Sequence, residues 1–250
     1  LGKCTNALPF EIKTSQDVLE DLRLKDRYLD LRADYNKKML KLRSDLMMFV
    51  REFMHKHDFL EVQTPILTAS SPEGARDFLV PSRLNPGKFY ALPQAPQQFK
   101  QLLMTSGVDK YFQIAPCFRD EDARADRSPT EFYQIDMEMA YATQEDVFKI
   151  TEELYADIFE KFAGDRPKTP FARLTYAEAM EKYCSDKPDM RNPLTVCDVT
   201  DVFKNSEFKA FENNTIKAIK VNCGEFGRKF YDSMTEFMKQ REAKGLAYVR

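Results

Sequence analysis

The segment Phe132–Tyr141 constrains the fold more than any other part of the chain. Side chains of a strand alternate between two faces, and here the alternation separates the chemistry. One face carries Phe132, Gln134, Asp136 and Glu138; the other carries Tyr133, Ile135, Met137, Met139 and Tyr141. The second set predicts a strand whose back is core. The first set leaves two readings open. It is the solvated side of an antiparallel strand, or it is the floor of a site. Asp and Glu are depleted in strands, and two in succession suggest a cationic ligand or partner. Such a strand needs a neighbour. Tyr111–Phe118 supplies it, joined by Arg119–Arg127, which holds seven charges in nine residues and is too polar to bury.

Helices are predicted around this hairpin. Leu42, Leu46, Phe49, Val50, Phe53 and Met54 form one apolar stripe, with the helix ending near His57-Asp58. Phe59–Gln63 reads as a strand stopped by Thr64-Pro65. Residues 68–77 read as a loop, and Phe78–Pro81 pairs with Lys88–Leu92 across a turn at Asn85-Pro86-Gly87. A helix starts near Pro96 with Phe99, Leu102 and Leu103 inward. Another carries Val147, Ile150, Leu154, Ile158 and Phe162, and Ala163–Pro170 reads as a linker. Beyond it, Tyr176–Tyr183 and Phe230–Arg241 are helical, Thr195–Phe203 is mixed and Ile216–Val221 is a strand. Pro9–Ile12 reads as a short strand. The predicted class is α+β.

Composition excludes several functions. At 43% hydrophobic and 31% charged residues, 250 residues predict a globular core under a charged surface. Lys and Arg number 38 against 40 Asp and Glu, so nucleic-acid binding would need a local patch. The longest apolar run, Leu46–Val50, is too short for a membrane span, and no signal peptide opens the chain. The eight glycines form neither G-x-G-x-x-G nor G-x-x-x-x-G-K, and G-x-S-x-G is missing. Cysteines at 4, 117, 184, 197 and 223 are odd in number and widely spaced. They read as reduced core thiols of a cytosolic protein, with no metal spacing. His55 and His57, at a helix end, read as dipole or solvent partners and not as ligands.

Around the predicted hairpin loop, Arg119, Glu121, Arg127 and Phe132 suit a purine and a polyphosphate. An Arg fork matches phosphate oxygens, a Phe ring stacks on a base, and a Glu accepts from an exocyclic amine. A solvated tip held by mutual ion pairs fits the same residues.

The motifs carry a resemblance. Phe118-Arg119-Asp120-Glu121, then Arg127 and Phe132, resembles motif 2 of the class II aminoacyl-tRNA synthetases, and Phe59–Leu67 resembles their motif 1. Arg27–Arg32, Ser71–Phe78, Ala91–Lys100 and Phe118–Asp122 look like the bacterial type of aspartyl-tRNA synthetase. Ser185–Asp189 and Asp198–Asp201 are similar to the insertion domain of that type. The resemblance implies an antiparallel sheet flanked by helices, with a small α+β insert. It implies a hinge at 1–35, a catalytic core at 36–170 and an incomplete insertion domain at 171–250. It implies ATP-dependent activation of L-aspartate and transfer to tRNA, in a cytoplasmic homodimer joined through motif 1 around Pro65.

Roles follow from the same resemblance. Arg119 would hold the ATP α-phosphate and developing charge, and is the catalytic candidate. Glu121 would read the adenine amine, Arg127 would reach the γ-phosphate and Phe132 would stack on adenine. Asp120 and Ser128 fall in the same ATP-binding stretch. Glu73 and Asp136 would meet the aspartate ammonium, with Gln97 and Gln134 nearby, and Lys100 would pair with the side-chain carboxylate. Residues 122–126 would approach the tRNA acceptor end. Mg²⁺ ligands, motif 3 and an anticodon-binding barrel are expected outside this chain. Leu1 in place of Met points to an excerpt, which taken alone would form little adenylate. The chain departs from the pattern at Ala95, where Ser is usual, and at Asp58, where Gly is common. It has four residues between Arg127 and Phe132 where three are usual. Alternatives are a non-catalytic truncated relative that binds tRNA or a partner, and an asparaginyl- or lysyl-tRNA synthetase, against which Lys100 argues. A further alternative is an asparagine synthetase of the aspartate–ammonia type, which should lack the insert.

Overall fold

The computed structural model of the chain describes residues 2, 5–71, 73–122, 130–208, 211, 214–221, 224, 226–243 and 246–248. The chain divides into two compact units, Leu1–Phe171 and Ala172–Arg250.

The first unit is built on an antiparallel pair, with β1 (Leu60–Glu61) beside it. Strands β4 (Lys110–Phe118) and β5 (Glu131–Met139) run in unbroken register from Lys110 opposite Met139 to Phe118 opposite Glu131. β1 lies parallel to β4 on its other edge. Two helices, α3 (Asp34–Lys56) and α5 (Gln144–Ala163), cover one face. Val50, Phe53, Met54, Phe59, Phe112 and Leu154 are buried together there, with Met137 and Met139 packed against them. The α3 stripe is buried only from Leu46 onward; Leu42 is exposed. Val147 on α5 is exposed as well. α5 starts with a reciprocal capping box between Thr143 and Asp146 and ends at the left-handed Gly164.

After α3 the chain turns through Asp58 at φ 64°. That left-handed conformation explains why glycine suits this position, and Asp is among the few other residues that tolerate it.

The expectation of a core back to β5 holds only at Met137 and Met139. Tyr133 and Ile135 are exposed, and Tyr141 lies past the strand end, fully in solvent. Arg43 sits over the Tyr133 ring, 4.8 Å from its centroid.

On the opposite face lies α4 (Gln97–Thr105), which contacts both β4 and β5. The hairpin β2 (Leu79–Pro81) with β3 (Phe89–Ala91) is tied back by a bridge from Ala91 to Thr68. Leu102 was expected to face inward and is 63% exposed. Lys100 takes the inward position. Two residues further along an α-helix is about 200° around the axis, so Leu102 must point away.

Residues 9–12 form no strand. A 3₁₀ turn, Ile12–Asp17, leads into α1 (Glu20–Lys25) and α2 (Arg27–Asp30). Asp30 is fully buried, bonded to Arg27, with Arg23 at 3.9 Å.

The second unit is small and α+β. It contains α6 (Tyr176–Tyr183), β6 (Val196–Asp198) antiparallel to β7 (Lys217–Ile219), α7 (Thr200–Phe203) and α8 (Arg228–Lys239). Ring pairs such as Phe226–Phe230 at 4.2 Å and Tyr231–Tyr248 at 4.1 Å bring its aromatics together. Cys184 and Cys197 are exposed, contrary to the core reading, because one caps α6 in a left-handed turn and the other sits on a short outer strand. Cys117 is buried; Cys4 and Cys223 lie outside the described residues. Among the described residues no helix is long and apolar enough to cross a membrane.

Met54 has no exposed surface and packs at the centre of the first unit. Met54→Ala is expected to cost about 2–5 kcal/mol of unfolding free energy, read from urea melts of the first unit's transition.

Candidate functional site

The face of β4–β5 away from the helical core is a row of paired, mostly polar side chains. The ladder sets Tyr111 opposite Glu138, Gln113 opposite Asp136, Ala115 opposite Gln134 and Cys117 opposite Phe132. α4 lowers Lys100 onto this row. Its Nζ donates to Asp136 Oδ1 at 2.8 Å and lies 3.4 Å from Glu138 Oε2. Both Lys100 and Asp136 are buried. Burial alone would depress the lysine, but its hydrogen bond to Asp136 and the charges of Asp136 and Glu138 outweigh it and hold the ammonium above its ordinary pKa.

The rest of the floor is tied tightly. Gln113 Oε1 accepts from the Thr64 amide at 3.2 Å, the Thr64 hydroxyl at 2.9 Å and the Tyr111 hydroxyl at 3.0 Å. Cys117 Sγ lies 3.2 Å from Gln134 Oε1. Burial pushes the Cys117 thiol up to about 11, with Arg119 opposing and Asp136 and Glu73 adding to the rise. This thiol stays protonated near neutrality and is no nucleophile. Burial, helped by the Asp136 charge, also raises Tyr111 well above the usual phenol range.

At the other end of the row, Arg119 lies over Phe132, 5.0 Å from the ring centroid. Its amide donates to Thr130 at 2.9 Å. Asp120 and Arg76 exchange two bonds: the Asp120 amide donates to Arg76 O at 3.0 Å, and Arg76 Nε donates to Asp120 O at 3.1 Å. Glu121 is exposed.

A recess beside α4 is lined by residues that include Glu73, Asp77, Gln94, Ala95 and Phe99. Gln94 is buried there and bonds to Ala75 and Asp77. Glu73 itself is exposed and its amide donates to Ser71 O at 2.9 Å.

The structure thus joins Lys100 to Asp136 and stacks Arg119 on Phe132. Gln134 lies between them on one strand face. The charges of Arg119, Asp136, Glu73 and Lys100 all reach the Cys117 thiol. Gln97 is half-buried in the first turn of α4. Arg127 and Ser128 lie outside the described residues. Lys100 and Asp136 were assigned to opposite ends of a ligand and here bond each other. Sequence reasoning gave no role to Glu138, Gln94, Gln113 or Arg76. Glu138 carried a signal as the second carboxylate of its strand face, and Gln94 and Arg76 fell inside the Ala91–Lys100 and Ser71–Phe78 matches without a role.

With this geometry in hand, the comparisons are specific. Residues 19–243 match the family described as tRNA synthetases class II (D, K and N). The chain belongs to this family. It is 57% identical over 251 residues to an Aspartate--tRNA(Asp/Asn) ligase of Anaplasma phagocytophilum, and 56% identical over 252 residues to that of Rickettsia canadensis. Each alignment covers 98% of this chain and 42% of the relative, so the chain spans less than half the length of the curated relatives it matches. Among solved structures it resembles an asparaginyl-tRNA synthetase from Pyrococcus horikoshii complexed with asparaginyl-adenylate. The TM-score is 0.56 at 27% identity, covering 64% of this chain and 36% of that one. A putative aspartyl-tRNA synthetase from Leishmania major gives a TM-score of 0.57 at 28% identity, covering 65% and 32%. The α+β class II synthetase fold expected from the motifs is the fold observed.

The Lys100 cluster predicts a pH signature. Its pKa is higher folded than unfolded, so its contribution is complete below an ordinary lysine value of about 10.4 and fades as pH rises through the raised value. Lys100→Met leaves two carboxylates facing each other and is expected to cost about 3–5 kcal/mol at neutral pH. Urea melts of both proteins should show this gap constant up to about pH 10 and narrowing as the pH rises further; a gap that stays constant at high pH would contradict the account.

Proposed function

We propose that this chain carries the aspartate- and ATP-binding part of an aspartate–tRNA ligase. The observation that carries the reading is the buried Lys100 ammonium, held by Asp136 and Glu138 on the same sheet face as the Arg119–Phe132 stack. An ammonium has three N–H donors. Two point to Asp136 and Glu138, and the third serves the side-chain carboxylate of aspartate. A carboxylate gives that third donor a charge-assisted bond, which a neutral amide supplies more weakly, and this separates aspartate from asparagine. The names of the relatives support the same amino acid.

In this reading the aspartate α-carboxylate attacks the α-phosphorus of ATP, and pyrophosphate leaves. The tRNA terminal hydroxyl then attacks the acyl carbon, and AMP leaves. No protein nucleophile takes part, in keeping with the protonated Cys117. Catalysis comes from position and charge. Arg119 neutralises the α-phosphate, Phe132 stacks on adenine, Glu121 accepts from its amine and Asp120 lies in the same subsite. Glu73, Gln97, Gln134 and Asp136 surround the ammonium of the amino acid. Arg127 and Ser128 keep their γ-phosphate and ATP-stretch roles from the motif. Mg²⁺ accompanies the phosphates; among the described residues no group of three His, Cys, Asp or Glu side chains could hold it, so no step is assigned to it.

The same reading makes 1–35 the hinge, 36–170 the catalytic core and 171–250 an insertion domain. It makes the protein a cytoplasmic homodimer joined around Pro65, with the acceptor end meeting residues 122–126, of which 123–126 lie outside the described residues. The relatives' names extend it to both tRNA(Asp) and tRNA(Asn).

In the full-length protein, aspartate-dependent ATP–pyrophosphate exchange is expected, with aspartate transferred to both tRNAs. Arg119→Ala should lower kcat by about 10²–10³ without shifting the melting curve. Near-normal exchange in that variant would remove Arg119 from the mechanism. Lys100→Met, assayed where circular dichroism shows it folded, should cut the aspartate-over-asparagine ratio in kcat/KM by about tenfold or more. The KM for ATP should stay unchanged.

A further inference from the structure

Gln94 lies in the turn that leads into α4 and is only 3% exposed. Its side chain treats Ala75 as a strand neighbour would. Oε1 accepts from the Ala75 amide at 3.1 Å, and Nε2 donates to the Ala75 carbonyl at 2.9 Å. The second Nε2 proton goes to Asp77 Oδ1 at 2.5 Å. Both amide protons and the oxygen are therefore used, a match that needs an amide of this length. The residue between these two partners is fastened on another side, because Arg76 exchanges two bonds with Asp120. Residues 75–77 are thus held at once by Gln94, ahead of α4, and by Asp120. Glu73, two residues earlier, is exposed, and its described hydrogen bonds run to Ser71. It is one of the residues that line the recess.

We infer that Gln94 is a positioning residue for the amino-acid subsite: it pins Ala75 and Asp77 so that Glu73 stands over the recess, and the Arg76–Asp120 exchange links that strap to the Arg119 end. This rests on the aspartate–tRNA ligase reading for its kinetic consequence, though not for the clamp itself.

Two measurements on the full-length protein separate the clamp from that reading. The first is tryptic cleavage after the exposed Arg76, mapped by mass spectrometry. Gln94→Ala should speed it at least about tenfold, the scale for losing more than one buried hydrogen bond, while the melting curve shows a retained fold. An unchanged rate overturns the clamp, whatever the protein catalyses. The second is exchange kinetics of Gln94→Glu, which keeps the shape and the acceptor but at neutral pH sets a carboxylate against the Ala75 carbonyl and Asp77. KM for aspartate should rise at least about tenfold, with kcat and the KM for ATP little changed. The defect should shrink towards about pH 5, relative to wild type, as the introduced carboxyl takes up a proton and donates again. Equal rises in both KM values, or a defect indifferent to pH, overturn the positioning role. A wild-type protein with no aspartate-dependent exchange overturns the functional reading instead, and the cleavage rates then decide the clamp alone.

Discussion

The unbroken β4–β5 ladder is the constraint on which the rest of the first unit depends. Its register is set by what lies behind it. Phe112, Met137 and Met139 must face Val50, Phe53 and Met54, and alternation then forces Gln113, Gln134, Asp136 and Glu138 to the other side. A slip of one residue would drive Asp136 and Glu138 into the helical core and lift two methionines into the polar row. Both moves are strongly unfavourable. The polar row is therefore a product of the apolar core, and the site needs no separate device to be aligned.

That row has two chemically distinct ends. Lys100 meets two carboxylates near its lower end, and Arg119 covers Phe132 at its upper end. Asp136 and Phe132 are four residues apart, about 13 Å along an extended strand. On the proposed reading, an amino acid joined to a nucleotide would lie along this span, its side-chain carboxylate against Lys100 and its base on Phe132. A buried ion cluster is weak evidence for stability, since desolvation offsets most of the attraction. Its placement under α4, in contact with the row that the core aligned, argues for specificity as its use.

Much of this was legible in the residues, and the failures have physical causes. The two faces of β5 were read correctly as a pattern, because alternation is a backbone property. Their burial was not, because Tyr133 and Ile135 are covered only as far as α3 and α5 reach. Leu102 was misread because Lys100, a residue normally sent to solvent, takes the inward position through its two carboxylates. The burial of Gln94 and Gln113 gave no signal, since a buried amide is recognisable only once its partners, 19 and 49 residues away, are in place. The individual ligand roles came from the motif resemblance; the residues alone supported no more than a carboxylate-bearing face and a basic, aromatic loop.

The titrating groups on the floor share one property that bears on function. Lys100 is held above its ordinary pKa by its carboxylates, Tyr111 is raised chiefly by burial, and the Cys117 thiol is pushed to about 11 by the same burial. None of the three changes charge between about pH 6 and 9. The floor therefore presents a fixed cation, a neutral phenol and a neutral thiol across that range. A reaction that works by holding charge in place requires such constancy, because a proton gained or lost by the floor would alter the field at the ligand. Any pH dependence of the proposed chemistry near neutrality must then arise from the substrates or from groups outside this trio.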